Sequence, residues 1–190
     1  MSDRERWEER HRAALGAPPG APSAWVMERA RSLGARGTAL DLACGRGRHA
    51  VPLAAAGWRV IAVDIAEAAV RASRAAGAGS GRRVEGVVAD AGALPVRAGA
   101  IDLIVCVSFL DRAVFGHLSH LLRPGGALLC EIFTEAQRTL GRGPRSSAHL
   151  LRSGELPSLA RALRVTEYTE GLVRDASGER YVARMQAVNG

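Results

Sequence analysis

The sequence predicts a doubly wound α/β fold around a mostly parallel sheet. Between residues 38 and 134, apolar runs of strand length alternate with alanine-rich helical segments, which is the order of parallel strands joined by helical crossovers. Runs such as 103–107 (LIVCV) are apolar at successive positions, as expected of strands covered on both faces. These observations and the length of 190 residues favour a single domain.

Two helices are predicted before the alternating part of the chain. Residues 3–15 are polar with alternating charges and include Trp7, and the glycine- and proline-rich residues 16–22 end this helix. Residues 23–33 are predicted as a second helix that ends at Gly34. We expect residues 1–34 to form a lid beside the core.

The predicted core, residues 38–134, contains five strands and three helices. The strands are 39–43, 59–65, 84–89, 101–109 and 127–133, and the helices are 48–56, 66–76 and 111–122.

The pattern changes in residues 135–190, which we expect to form a substrate-side loop, a helix and a closing hairpin. Residues 141–147 are loop-like, and residues 153–163 are predicted as a helix capped by Ser153. Residues 165–172 and 181–188 alternate apolar and polar side chains around a turn at 175–178, which predicts an antiparallel hairpin and brings the total to seven strands.

The composition excludes several chemistries. All of the 26 basic residues are arginine and the net charge is +7, so lysine Schiff bases, P-loop lysines and lysine general bases are excluded. No apolar run reaches the ~18 residues of a membrane span, and no signal-peptide pattern is present. The three cysteines lack CxxC spacing, and no metal-ligand spacing is visible. We therefore expect a cytoplasmic protein with no metal and no membrane partner.

The most informative stretch is residues 39–50, ALDLACGRGRHA, in which a strand leads through a glycine-rich loop into a helix. Gly45, Gly47 and Ala50 also fit the dinucleotide fingerprint, which alone is weak evidence. Asp41, however, would repel a pyrophosphate and would suit a cationic group such as the amino group of a methionine moiety. This argues against an NAD-dependent enzyme.

Two further acids end the next two predicted strands. Asp64 is placed to accept hydrogen bonds from both hydroxyls of a ribose. Asp90 is placed to accept from an exocyclic amine such as that of adenine.

These residues resemble the class I S-adenosylmethionine-dependent methyltransferases, with four motifs in family order over residues 38–134. The resemblance implies a Rossmann-like seven-stranded sheet with an antiparallel hairpin at its C-terminal edge, and S-adenosylmethionine as the cofactor. The cofactor-binding set that it implies is Asp41, Ala43, Gly45 and Gly47 for the methionine part, Asp64 with Ile65 for the ribose, Asp90 with Ala91 for the adenine, and Cys106 or Val107 beneath the sulfonium.

A narrower resemblance links the chain to small bacterial methyltransferases of the tellurite-resistance type. It rests on residues 7–10 (WEER), the CGRGR stretch 44–48, residues 108–112 (SFLDR) and residues 131–134 (EIFT). We take it as an indication of size and lid arrangement, because many members of that group have no known substrate.

Three residues are candidates for the substrate side. Arg112 follows the fourth predicted core strand, at the edge where open α/β sheets bind ligands, and is either an anion contact or a surface ion pair with Asp111 or Glu135. Glu131 is either a proton acceptor or a hydrogen-bonded structural acid. His49 is either a general base or a histidine on a helix face.

The expected function is methyl transfer from S-adenosylmethionine to a small molecule. An anionic group on that molecule is one interpretation of residues 136–154, which contain four arginines and no acid; a solvated loop is the other. An RNA methyltransferase is an alternative favoured by charge, although no basic surface with interleaved aromatic residues is seen. A second alternative is a non-catalytic scaffold that binds the cofactor, because the sequence contains no compelling catalytic base. The pattern predicts neither the methyl acceptor nor the oligomeric state.

Overall fold

A computed structural model describes residues 1–35, 37–175 and 178–190 of the chain. The strands are β1 (Thr38–Leu42), β2 (Arg59–Asp64), β3 (Val84–Val88), β4 (Ile101–Val107), β5 (Leu122–Phe133), β6 (Arg164–Asp175) and β7 (Gly178–Val188). The helices are α1 (Asp3–Ala13), α2 (Ala24–Ser32), α3 (Ala50–Ala55), α4 (Glu67–Gly79), α5 (Arg112–Phe115), α6 (Leu118–Leu121) and α7 (Glu155–Leu159). Two short 3-10 helices span Glu135–Leu140 and Ser147–His149.

The seven strands have the order β3-β2-β1-β4-β5-β7-β6, which confirms the predicted fold class. Strands β1 to β3 are parallel, β4 is parallel to β5, and β7 is antiparallel to both β5 and β6. The C-terminal antiparallel pair was predicted from alternating polarity. Its predicted turn falls partly on residues 176–177, which lie outside the described residues.

The chain divides into two compact units, residues 1–96 and 97–190. The division falls inside the segment that we predicted as one cofactor-binding core, residues 38–134. The arrangement of a lid, a core and a substrate-side segment in a single domain therefore stays a prediction.

In the first unit, α4 packs on β2 and β3 through a face of small side chains. Ala68, Ala69, Val70, Ser73 and Gly77 are its buried residues. Small side chains allow the helix to approach the strands closely, which brings it within reach of the glycine-rich loop after β1.

In the second unit, several boundaries differ from the prediction. The predicted helix 111–122 is two short helices, interrupted at Gly116 and His117. Strand β5 starts at Leu122 instead of residue 127, because Leu122 pairs with Ile101 across an irregularity in the β4–β5 register.

Helix α7 is also shorter than the predicted helix 153–163. Its N-cap is Gly154 in a left-handed conformation (φ 71°) rather than Ser153, and the Gly154 N–H donates to Oε2 of Glu170 (2.9 Å). A tertiary partner on β6 therefore replaces the expected local cap.

No helix in the described parts of the chain is long and apolar enough to cross a membrane. Within the same residues, no group of three or more His, Cys, Asp or Glu side chains is placed to hold a metal ion. Cys44, Cys106 and Cys130 are buried thiols that are not joined in disulfides.

Candidate active site

Asp41 is a buried carboxyl group inside β1, with 2% of its surface exposed. The backbone N–H of Ala50 donates to it, whereas Oδ2 has no hydrogen-bond partner among the described residues. Burial raises the pKa of Asp41 to about 7, against the opposing effects of the Arg48 charge and the Ala50 hydrogen bond. A buried carboxylate with an open oxygen is suited to binding a cationic group.

The loop after β1 adopts left-handed backbone conformations at Ala43 (φ 55°), Gly45 (φ 51°) and Gly47 (φ 88°). At Gly47 a side chain is also excluded sterically, because a Cβ there would lie 2.6 Å from Oγ and 3.0 Å from Cα of Ser73 on α4. The loop is thus pressed against α4. Ala43 adopts a conformation that costs a non-glycine residue about 1–2 kcal/mol, which is typical of strained loops at binding sites.

Asp64, the last residue of β2, joins the loop to the start of α4. Its Oδ2 accepts from the Gly45 N–H (2.9 Å) and its Oδ1 accepts from the Ala66 N–H (3.0 Å). The structure therefore brings together Asp64 and Gly45, which are 19 residues apart and were both predicted as cofactor ligands.

Asp90 follows β3 and is exposed. Its Oδ1 accepts from the Gly92 N–H (2.8 Å), which forms a local turn. At the neighbouring end of β3, Val88 is 41% exposed and the next N–H, of Ala89, donates to the Asp64 carbonyl (3.0 Å). An exposed apolar side chain next to a carboxylate suits the face and the amine of an adenine ring. Ile65 and Ala91 are each half-buried.

In the second unit, Cys106 and Val107 end β4. Cys106 is completely buried and lies in register with Cys130 of β5, where burial raises the pKa of the Cys130 thiol well above its usual value. The Cys106 side chain is therefore committed to the core, and Val107 (7% exposed) is the more accessible of the two predicted residues. The next residue, Ser108, has a left-handed backbone (φ 60°) that the sequence did not indicate.

Arg112 is bound in a two-pronged ion pair to Glu155 of α7. Its Nε and Nη2 donate to the two carboxylate oxygens (2.6 and 2.9 Å), and Nη2 also donates to the Leu150 carbonyl (3.1 Å). This ion pair lowers the pKa of Glu155 to about 2. The ion pair that we had predicted as the alternative to a substrate contact exists, but its partner is Glu155 and neither Asp111 nor Glu135.

Glu131 is an acid at the carboxyl end of β5 whose side chain is completely buried. Its Oε1 accepts from Nη1 of Arg180 and its Oε2 from Nε of Arg184, both at 2.8 Å. Asp175 binds Nη2 of Arg180 on its other side. These contacts match the structural acid of our alternative interpretation, and a role in proton transfer stays a prediction without support from them.

His49 is buried, and its Nε2 accepts from the backbone N–H of Ser23 (3.0 Å). The imidazole thus fastens the start of α2, where Ser23 is the N-cap, to the loop after β1. Because the acceptor nitrogen is already occupied, the general-base role also stays a prediction without structural support.

The four arginines of residues 136–154 bind their own surroundings. Arg138, Arg142 and Arg145 donate to the carbonyls of Arg145, Glu179 and Gly141, respectively, and Arg152 contacts Glu155. These contacts therefore stabilise the segment 136–154, which contains no long helix.

Comparison with known proteins gives a partial family match. Residues 39–126, just under half of the chain, match the model of a methyltransferase domain.

A curated relative, the ubiquinone biosynthesis O-methyltransferase of Bordetella avium (strain 197N), is 29% identical over 157 residues, which are 72% of this chain and 65% of the relative. The other curated relatives are covered over 44% to 51% of their length. The chain thus spans less than two thirds of the length of the curated relatives that it matches.

Solved structures show the same fold at low sequence identity. The structure reported for the conversion of a disulfide bond into a thioacetal group during echinomycin biosynthesis superposes with a TM-score of 0.80 (21% identity; 99% of this chain and 92% of that chain). TehB from Haemophilus influenzae superposes with a TM-score of 0.72 (18% identity; 97% and 67%). Magnesium protoporphyrin IX methyltransferase from Synechocystis PCC 6803, solved with bound S-adenosylmethionine, gives 0.71 (15% identity; 100% and 98%).

The match to the methyltransferase-domain model agrees with the prediction from the sequence motifs, and the solved structures share the fold. The likeness to TehB agrees with the narrower resemblance in fold alone.

Residues that the sequence did not single out are Arg46 in the cofactor loop, His11 on α1, and Arg180 and Arg184 around Glu131. The only sequence signal for Arg180 and Arg184 is that each is a charged residue in an otherwise apolar segment.

Proposed function

We propose that this chain is an active S-adenosylmethionine-dependent methyltransferase whose acceptor is a hydroxyl group of a small molecule. The observation that supports it most strongly is the buried Oδ2 of Asp41, which has no hydrogen-bond partner among the described residues, near a loop whose Gly45 is held by Asp64. The methionine part of the cofactor carries a cationic ammonium and its nucleoside carries two vicinal hydroxyls, and these two carboxylates have the chemistry to bind them.

The residues of the chain act mainly by binding and orientation. When bound, S-adenosylmethionine supplies a sulfonium-activated methyl group, which is transferred by in-line displacement. Asp41 orients the amino group, Asp64 binds the ribose, and Val107 ends the strand that we predict beneath the sulfonium. Since Arg112, Glu131 and His49 are engaged in structural contacts, the proposed rate enhancement comes from positioning.

The nature of the acceptor is supported by the relatives. Five of the six matching curated relatives are called ubiquinone biosynthesis O-methyltransferases, which favours a small hydroxylated acceptor. A carboxylate or phosphate on that acceptor remains compatible with the net charge of +7. The proposal does not require an RNA substrate.

The test is transfer of a labelled methyl group from S-adenosylmethionine to a panel of hydroxylated aromatic small molecules, with total RNA as a parallel substrate. Repeated transfer of label to a small molecule by each enzyme molecule supports the proposal. Label on RNA alone would overturn the choice of substrate. Cofactor binding without transfer to any class would favour the scaffold alternative.

The cofactor part is tested by Asp64→Ala. Removing an acceptor of two charge-assisted hydrogen bonds is expected to weaken binding of S-adenosylhomocysteine about 100-fold, measured by calorimetry. Glu28→Ala is the matched control, because Glu28 is an exposed carboxylate on α2. Equal affinities of the two variants would contradict the assignment of Asp64.

A further inference from the structure

The N-terminal helix α1 is attached to α4 and to the cofactor loop by directed polar contacts. None of its eleven residues, all of which the structure describes, is fully buried, and Trp7 and His11 are half-buried. We define α1 and the residues that follow it as far as Pro18 as the cover. Because little apolar surface of the cover is fully buried, directed hydrogen bonds contribute much of its attachment.

The first such bond lies at the start of α4. Oε2 of Glu8 accepts from the backbone N–H of Ala68 (3.0 Å), and this hydrogen bond is the main cause that lowers the pKa of Glu8. The N-cap residue of α4, Ala66, has no side-chain cap of its own. Glu8 therefore supplies from α1 a cap that α4 lacks.

The second attachment is Arg46, which lies between Gly45 and Gly47 of the cofactor loop. Its Nη1 donates to the carbonyls of Ala14 and Ala17 (2.5 Å each) and its Nη2 to the carbonyl of Pro18 (3.2 Å). One guanidinium thus binds the end of the cover at three carbonyls, for which its planar donors are well suited.

Beneath the linker that follows α1, packing is incomplete. A cavity of about 280 Å³ lies between the linker and the alanine face of α4, and Arg46 forms part of its wall. Its lining includes Leu15, Ala17, Ala72 and Ala76. Arg46 therefore makes directed contacts to the linker at the edge of this partly open cavity.

The cover also places a ring pair beside the predicted cofactor ligands. A Cβ built on Gly45 would lie 3.5 Å from Cε1 of His11, which stacks with Trp7 (ring centroids 6.0 Å apart). Burial lowers the pKa of His11, whereas the charge of nearby Asp64 opposes this shift. His11 therefore lies next to the two residues that we assign to the methionine part and the ribose.

From these contacts we propose that Arg46 is a positioning residue that holds the cover over bound cofactor and thereby sets how slowly the cofactor leaves. The inference rests on the cofactor-binding part of the proposed function and is independent of the methyl acceptor. It couples the cover to the cofactor loop, because Arg46 belongs to the loop that we propose contacts the ligand.

The experiment compares wild type, Arg46→Ala and the matched control Arg71→Ala, which removes an exposed arginine of α4. Dissociation of S-adenosylhomocysteine is followed by stopped-flow tryptophan fluorescence, to which Trp7 of the cover contributes. Arg46→Ala is expected to release the ligand about tenfold faster than wild type, with a smaller change in the association rate. A dissociation rate equal to that of Arg71→Ala overturns the inference.

Amide hydrogen exchange gives a second readout, and its comparison of free and ligand-bound wild type does not depend on the folding of a variant. Bound S-adenosylhomocysteine is expected to slow exchange in residues 3–13, and Arg46→Ala is expected to lose this protection while the strands stay protected. Unchanged exchange in residues 3–13 of the wild type on binding also overturns the inference. Failure of the wild type to bind the ligand at all would instead refute the proposed cofactor function.

Discussion

Asp41 shows how one residue's surroundings decide its chemistry. Burial within β1 raises the pKa of its carboxyl group from 3.8 to about 7, so it changes charge in the physiological range. For Asp41 alone, the raised pKa means that its contribution to folding is most favourable below pH 3.8 and becomes less favourable as the pH rises toward 7. The ionised form is disfavoured in the free protein but is the form that can bind an ammonium group.

Raising the pH from 6 to 8 is therefore expected to tighten binding of S-adenosylhomocysteine, because it ionises Asp41. Asp41→Asn should bind more weakly, by about tenfold or more, and should lose the pH dependence that Asp41 contributes. Calorimetry across this pH range measures both. An unchanged pH profile in the variant would contradict the role of Asp41.

Glu131 is the opposite case, a buried acid whose two carboxylate oxygens both accept hydrogen bonds from arginines. Glu131→Ala leaves Arg180 and Arg184 largely buried without their shared partner, and is expected to lower the free energy of unfolding by about 3–5 kcal/mol. Urea denaturation measures the change. As a control, Arg174→Ala breaks an exposed pair with Glu179 and should have a much smaller effect, because solvent screens that pair. Similar losses in both variants would refute the distinction.

At the scale of elements, short helices in the second unit are held by side chains from distant parts of the chain. Helix α5 has four residues and α7 has five, which is too short for stability in isolation. The Arg112–Glu155 ion pair joins the two, while Asp111 caps α5 through the N–H groups of Ala113 and Val114. Tertiary contacts thus replace the long helices that the local pattern predicted.

The contribution of this ion pair is expected to depend on pH. Because the pKa of Glu155 is lowered from 4.5 to about 2 in the folded protein, its contribution is present above pH 4.5 and is lost as the pH falls toward 2. Glu155→Gln should lower the free energy of unfolding by about 2 kcal/mol at pH 7, and by less at pH 3. Urea denaturation at the two pH values tests this. Glu135→Gln, which alters a longer and more exposed pair, is the control.

At the scale of the whole molecule, the fold provides a cofactor loop at the end of β1 and a second carboxylate at the end of β2. The loop residues contact α1, α4 and β2, so a ligand bound there would stabilise several elements of the first unit at once. Ligand binding should therefore be visible in the unfolding of the protein.

S-adenosylhomocysteine at about 100 times its dissociation constant is expected to stabilise the folded state by about 2.7 kcal/mol. For a chain of this size, this corresponds to an increase in melting temperature of roughly 5–10 °C. NAD at the same concentration is expected to give no increase, because the Asp41 carboxylate disfavours a pyrophosphate. Thermal unfolding measured with each ligand tests both statements, and a larger shift with NAD would overturn the cofactor assignment.

The order of motifs from Asp41 to Asp90 could be predicted from the sequence, because strand, glycine loop and acid follow one another locally. The same locality explains the errors in the second unit, where helix 111–122 and its neighbours depend on distant partners. The contacts of Arg112, Glu131 and His49 join residues 43, 49 and 26 positions apart, respectively. A local sequence pattern does not indicate contacts between residues that are so far apart in the chain.

The sequence by itself therefore determined the fold class, and it predicted the glycine-rich loop and its neighbouring acids as cofactor ligands. The tertiary structure alone decided which charged groups have partners within the chain. The physical reason is that strand and loop formation follow from backbone preference and polarity over a few residues. The pairing and desolvation of a charge, in contrast, depend on whatever the folded chain places within a few ångströms of it.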